Sequence, residues 1–458
     1  MGRLRGASIL LAVVLSPVLF AQGRPPAPER PDRGFSLALT GDSILTRRLS
    51  VYTEPQFLKL IEVIRGADAA FTNLEMLFHD YESYPMHQSG GTYMRADPAL
   101  ARDLVWAGFD MVSRANNHTG DYGVEGLRLT TRYVAEAGLV QAGVGESLQE
   151  AREAKFLETA RGRVALVSAA STFPDHSRAG SSRGDIPARP GLNPLRFTTT
   201  NILPRAELES LRGMAKGLGL NVPQAGDEFR AFGARFAVGE SHAVRTAPNE
   251  EDVKGMAAVV RNASRLADCT IVTVHAHERA ANNFVPAEFL VTFARAMIDA
   301  GADAFVGHGP HVLRGIEIYK GKPIFYSLGD FVFQNETLLR LPSDNYEPYG
   351  LGPDAHVADF NDARYDFDKR GFPAQREIWE AVVAVPVWRE GKLAELRLHP
   401  IALGFGRPPA ERGRPMLAEG DAARKIIDDV ARLSKPFGTT VLFENGVGRV
   451  VLPVGATQ

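Results

Sequence analysis

Short apolar runs and helical periodicity alternate along this chain from Phe35 onward, and the apolar runs end in polar residues. "FSLALTGD" reads as a strand that stops at Gly41-Asp42, and "EPQFLKLIEVIRGAD" carries apolar residues at helical spacing before a glycine stop. "AAFTNLE" is a second strand, and "DPALARDLVWAGFD" a helix with Asp97 and Pro98 at its start. The same alternation continues through "MVSRANNHTGDYG", "VEGLRLTTRYVAEAG", "RVALVSAAST", "VKGMAAVVRNASRLAD", "CTIVTVHAHE", "PAEFLVTFARAMIDAG" and "ADAFVGHGPH". Repeated strand and helix at this interval predicts βαβ units, hence an α/β sandwich with largely parallel pairing.

Two stretches break the rhythm. Residues from Ser171 to about Glu250 begin with "TFPDHSRAGSSRGDIPARPGLNP" and read as an inserted, partly irregular region over one edge. Residues after Leu339 read as a polar and aromatic loop. Beyond it, "EAVVAVPVWREGKLAELRLHPIAL" predicts a hairpin around Glu390-Gly391, and a helix and a last strand follow. The expected organisation is therefore one domain over 34–340, with its insertion at about 171–250, completed by a hairpin, helix and strand within 341–458.

The first residues follow a different pattern. "MGRLR" precedes the apolar "ASILLAVVLSPVLF", which falls short of the roughly 20 residues a spanning helix needs. It reads as a signal peptide over 1–21, with an uncleaved membrane anchor as the alternative because Leu19 stands where a small residue is usual. Residues 22–33 are a proline-rich tether. The expected location is periplasmic or secreted.

Composition narrows the chemistry. A net charge of -2 gives no electrostatic footprint for nucleic acid. The single cysteine, Cys269, lies in an apolar run and reads as a buried hydrophobe, which excludes an internal disulfide or a thiolate cluster.

What remains is a recurrence of polar residues at the C-terminal ends of the expected strands: Asp42; Asn73 and Glu75; Asn116, Asn117 and His118; His275 and His277; His308 and His311. Open α/β sheets build their sites there. Carboxylate, amide and imidazole ligands without thiolate suit Mn, Fe, Zn or Mg. Each cluster alone has an ordinary reading as a turn or cap, and it is their shared position that singles them out. His79, His87, His176 and His242 fit no such pattern and read as surface residues, whereas Tyr326 and Phe331 read as core.

The stretches "LTGDSIL", "FTNLEM", "ANNHTGDYGVEGL", "VTVHAHE" and "GADAFVGHGPHVLRGIEIYKGKPIFYSLGDF" resemble, in order and content, the calcineurin-like metallophosphatase superfamily. They resemble more closely its CapA branch, named for a poly-γ-glutamate capsule protein. The resemblance implies a metallophosphatase-like α/β sandwich. It implies Asp42, Glu75, Asn117, His275, His308 and His311 as ligands to divalent metal, two ions in all, with Glu75 bridging. His118 would serve as the acid facing a leaving group, oriented by Asp121, and Asn73, Asn116, His277 and Asp330 would lie around the ligands. Arg95 is the candidate for neutralising an anionic substrate.

The sequence departs from the superfamily at two points. Ile44 stands where a histidine is usual, and Glu75 stands where an aspartate is usual. The function so implied is metal-dependent hydrolysis of a phosphoester or an amide, tied to poly-γ-glutamate or capsule polymer synthesis. The alternative is a non-catalytic factor that holds a polyanionic chain. The expected partners are an anionic polymer or phosphorylated substrate and a membrane-bound polymer synthase complex.

Overall fold

The computed structural model describes residues 34–453, so the signal and tether segments expected over 1–33 lie outside the described residues. The first strand, Phe35–Ile44, is buried along its last eight positions rather than on alternate ones. Its side chains still alternate, but between two cores: Ala38 faces one apolar cluster, Leu37 and Leu39 another. A strand covered on both faces belongs to a sheet between two layers, the usual situation of parallel sheets.

Two such sheets lie face to face. In the first, Phe35–Ile44 pairs in parallel with Ala69–Leu74, which continues to Met111–Ser113 and Val140–Ala142. In the second, Gly162–Ala170, Cys269–His275, Ala304–His308 and Lys322–Phe325 run parallel, edged by Lys155–Thr159 and Ile316–Tyr319. Leu37, Phe71 and Met111 from one sheet meet Leu166, Ile271 and Val306 from the other.

Helices Pro55–Arg65 and Leu100–Ala107 cover the outer face of the first sheet through Phe57, Leu60 and Leu104. Helices Glu250–Ala263 and Glu288–Asp299 cover the second through Met256, Val260 and Phe293. The result is a four-layer α/β sandwich whose parallel strands end along one rim.

The C-terminal part is structurally inseparable from this sandwich. Glu380–Arg389 pairs antiparallel with the first strand and returns as Lys392–Ala402. The turn falls at Glu390 and Gly391, both at positive φ (51° and 74°), as a tight hairpin with right-twisted strands requires. Helix Gly420–Ser434 adds Ile426, Ile427 and Val430 to the core between the sheets.

The insertion differs from its expected form. Irregularity ends near residue 196, after which Phe197–Leu203, Glu228–Ala231, Ala234–Val238 and Ala243–Pro248 form a separate four-stranded sheet. Helix Arg205–Gly217 covers it around Leu208, Ala215 and Phe229. Its strands are short and mostly half-exposed, so they carry little of the apolar signal that marks the main strands.

Candidate metal centre

The rim where the strands end is held together by backbone before any ligand chemistry enters. Asp42 sits at an irregularity in the first strand, in register with Asn73 on one side and Asp330 on the other. Its N–H donates to the Gly329 carbonyl at 3.1 Å, and the chains approach so closely that a Cβ on Gly41 would lie 1.7 Å from that same oxygen. In the second sheet His275 is in register with His308. The turn after His308 passes Gly309 at φ 107°, where a side chain would press on Ala276, and then His311 at φ 56°. A histidine held left-handed is strained, and such strain concentrates at functional sites.

These elements bring Asp42, Asn73, Glu75, His275, His277, His308, His311 and Asp330 into one group. Asp42 Oδ1 accepts from Asn73 Nδ2 at 2.6 Å and lies 3.7 Å from His275 Nδ1 and 3.8 Å from His308 Nδ1. Its Oδ2 accepts from the Gly309 N–H at 2.9 Å and lies 3.9 Å from His311 Nδ1. Glu75 Oε1 lies 3.7 Å from both His118 Nε2 and His275 Nε2, and 3.9 Å from His311 Nε2. His311 Nδ1 is 2.8 Å from Asp330 Oδ1.

His277 stands closer to the centre than its expected supporting place. Its Nε2 is 2.9 Å from His275 Nε2, and with Glu75 and His311 it forms one of three compact donor groups. The other two are Asp42, His311 and Asp330, and Asp42, Glu75 and His275.

Buried polar atoms are ordinarily hydrogen-bonded. Here both Glu75 oxygens, both His308 nitrogens, Asn73 Oδ1, Asn117 Oδ1 and Asp330 Oδ2 are buried without a hydrogen-bond partner. Oxygen and nitrogen donors left unpaired in one place fit a divalent cation, which would satisfy several at once.

The protonation states of His275, His277 and His308 suit that role. Burial first, then the neighbouring charges, hold the His277 imidazole well below its ordinary value, and His308 is brought down to about 4. His275 is lowered as well, burial outweighing Asp42. Neutral imidazole is the form that ligates. Burial raises Asp42, but the His275 hydrogen bond and the charges of His308, His275 and His311 outweigh it and keep the carboxyl ionised. Burial acts to lower His311, but Asp330 and Glu75 overcome it and lift the imidazole to about 10, so His311 ligates only when a cation displaces its proton. Burial raises Asp330 to about 6 and Glu75 well above its usual range.

Beside this group, the turn after Met111–Ser113 presents Asn117 and His118. Asn116 fixes the turn, donating to the Leu74 carbonyl at 2.8 Å and accepting from the His118 N–H at 3.1 Å. Asn117 donates to the Gly90 carbonyl at 3.0 Å, which leaves its Oδ1 unpaired. His118 Nδ1 donates to Asp121 Oδ2 at 2.7 Å. Asp121 is itself fixed by the N–H groups of Gly90 and Met94, each at 2.8 Å. The ring is thereby locked with Nε2 toward Glu75.

Arg95 does not join the group. It is buried, donates to the His79 carbonyl, pairs with Asp80 at 2.7 Å and stacks 3.9 Å over Tyr81. His79 is likewise interior, not on the surface as its isolation in the sequence suggested. It packs 4.3 Å from the Tyr122 ring, and burial followed by the Arg95 charge brings it down to about 4. His176 is half-buried and donates to the Gly120 carbonyl, while His87 and His242 are exposed. Tyr326, Phe331 and Cys269 are core residues.

A family model described as bacterial capsule synthesis protein PGA_cap matches residues 36–335. The uncharacterized protein y4sH of Sinorhizobium fredii is 42% identical over 92% of this chain and 93% of its own length. The capsule biosynthesis protein CapA of Bacillus anthracis is 25% identical over 71% of this chain and 66% of its own. A putative 5'-nucleotidase from Staphylococcus aureus aligns over 88% of this chain and 58% of its own, with 12% identity and a TM-score of 0.34, a likeness too loose to build on.

Proposed function

The chain belongs to the bacterial capsule synthesis protein family, and from that premise we propose that it is an exported metal-dependent hydrolase acting in the biosynthesis of poly-γ-glutamate or a related anionic polymer. The observation that carries this reading is the convergence of unpaired buried donors from Glu75, His308, Asn73, Asn117 and Asp330 around Asp42 and His311. Two divalent ions would be held by Asp42, Glu75, Asn117, His275, His308 and His311, with His277 and Asp330 adjoining. When bound, such ions would polarise the scissile group and make water a better nucleophile.

The remaining chemistry belongs to the chain. Asp121 accepts the hydrogen bond of the His118 Nδ1–H and stabilises its imidazolium. Nε2 is then free to pass a proton to the departing oxygen or nitrogen, as a general acid does. The enclosed rim excludes bulk water from that transfer. The apolar stretch at 7–20 supports a location outside the cytoplasm.

A second reading has its own observation. Ile44 is 1% exposed and packs in an apolar cluster, so the strand that carries Asp42 offers no imidazole beside it. A site with fewer donors suits a protein that holds a polyanion without cutting it.

Metal content of the purified protein, set against a His308→Ala, His311→Ala double variant, tests the site. Near-stoichiometric divalent metal lost in the variant is the expected result. Cleavage of a chromogenic phosphodiester or of γ-linked glutamate polymer with manganese present then separates the readings. Binding of polymer without cleavage would establish the second, and a metal-free wild type would overturn the first.

A further inference from the structure

Among the described residues, Arg364 is a half-buried arginine with no carboxylate in ion-pair range, and its surroundings fix where it stands. It lies in the last turn of helix Val357–Tyr365 and donates to Thr92 Oγ1. Thr92 follows Gly91, whose Cβ position is 3.8 Å from His118 Cε1. On its other side the Arg364 guanidinium lies 5.6 Å from the Phe372 ring, which is 5.7 Å from the His311 ring. One side chain therefore stands between the turn that carries the candidate acid and the turn that carries a candidate ligand.

That placement is built into the backbone. Asp366, Phe367 and Asp368 follow the helix at φ 46°, 53° and 67°, three left-handed residues in succession that reverse the chain. Arg370 then donates back to the carbonyls of Ala363 and Arg364, and Gly371 packs on Tyr365, which brings Phe372 under the guanidinium. Glu336 feels the charge of Arg364 but makes no ion pair with it, and both Glu336 and Asp368 are bound by Arg412.

We propose that Arg364 recognises an anionic group of the substrate, a carboxylate or a phosphate carried next to the bond that reacts. A guanidinium backed by aromatic rings and tied to one hydroxyl keeps most of its donors for a ligand, and its planar fork matches either oxyanion. This is the part sequence reading gave to Arg95, whose donors are spent on Asp80 and the His79 carbonyl. The inference rests on the hydrolase or polymer-binding reading of the site.

The test is titration calorimetry of glutarate, and separately of inorganic phosphate, into the metal-analysed full-length protein and its Arg364→Ala, Arg364→Lys and Thr92→Val variants. Arg364→Ala should weaken binding by about ten- to a hundredfold, the usual worth of charge-assisted hydrogen bonds. Arg364→Lys should restore part of the loss, and Thr92→Val should lose a few-fold; metal content should stay at the wild-type level throughout. A glutarate-only effect identifies a carboxylate, and a phosphate-only effect a phosphoryl group. Unchanged affinity in Arg364→Ala, or no binding of either anion to wild type, overturns the proposal. Absence of metal from wild type with an intact Arg364 effect overturns the hydrolase reading instead. Should Arg364→Ala not fold, the Thr92→Val affinity decides.

Discussion

Gly41 shows how little freedom single positions near the rim retain. A methyl group there would meet the Gly329 carbonyl at 1.7 Å, so Gly41→Ala must push apart the two strands that present Asp42 and Asp330. A loss of about 1–3 kcal/mol in denaturant unfolding is expected, accompanied by reduced metal content. His118→Ala should behave differently. Its ring is no candidate ligand, so metal should stay bound while turnover falls by about 10²–10⁴-fold, with Asp121→Asn losing less. A steady-state assay beside metal analysis separates the two cases. The residues legible in the sequence were those whose chemistry and strand-end position coincide, such as Asp42, Glu75 and His308. Arg95, His79 and Arg364 were misread or passed over because their roles depend on neighbours distant in sequence, Thr92 for Arg364 above all.

At the scale of elements, the left-handed run after helix Val357–Tyr365 stores strain that can be released. Phe367 is 68% exposed at φ 53°, a conformation that costs a residue with a Cβ roughly 1–2 kcal/mol. Phe367→Gly should therefore raise stability by about 0.5–1 kcal/mol once the entropy of the unfolded glycine is deducted, as read by urea titration.

The strand Lys392–Ala402 carries a pH dependence of its own. Burial, then the charge of Arg397, lowers His399 from its ordinary 6.5 to about 4. Between those values the unfolded chain binds a proton that the folded chain refuses. Stability is thus complete above pH 6.5, falls as the pH drops toward 4, and loses nothing further from this group below it. His399→Gln should flatten that part of the stability profile. Elements of this length were mostly legible, because runs such as "CTIVTV" leave little choice. The small inserted sheet was not, since strands like "FTTTNIL" owe their pairing to partners up to 51 residues on, as at Phe197 and Pro248.

Across the whole molecule, closure depends on its last third. Arg412, 2% exposed on its side chain, binds Glu336 through two nitrogens and also reaches Asp368, which clamps the C-terminal loop onto the segment after Asp330–Phe333. Arg412→Ala leaves Glu336 buried and unpaired and should cost about 3–5 kcal/mol in chemical denaturation. A chain ending at residue 340 should fail to fold, as circular dichroism would show. The reason is that the first strand would lose its Glu380–Arg389 neighbour. That hairpin was legible as a hairpin, but its docking beside Phe35–Ile44 was not, because local periodicity carries no information about which edge a distant strand joins. The same pairing sets an order of events during synthesis. The first described strand waits for a partner made about 350 residues later, and contacts so far apart in sequence form slowly. Until Glu380–Arg389 has been made, Phe35–Ile44 keeps an unpaired edge, so the nascent chain is exposed to sticking for most of its synthesis and a chaperone that shields that edge would protect it.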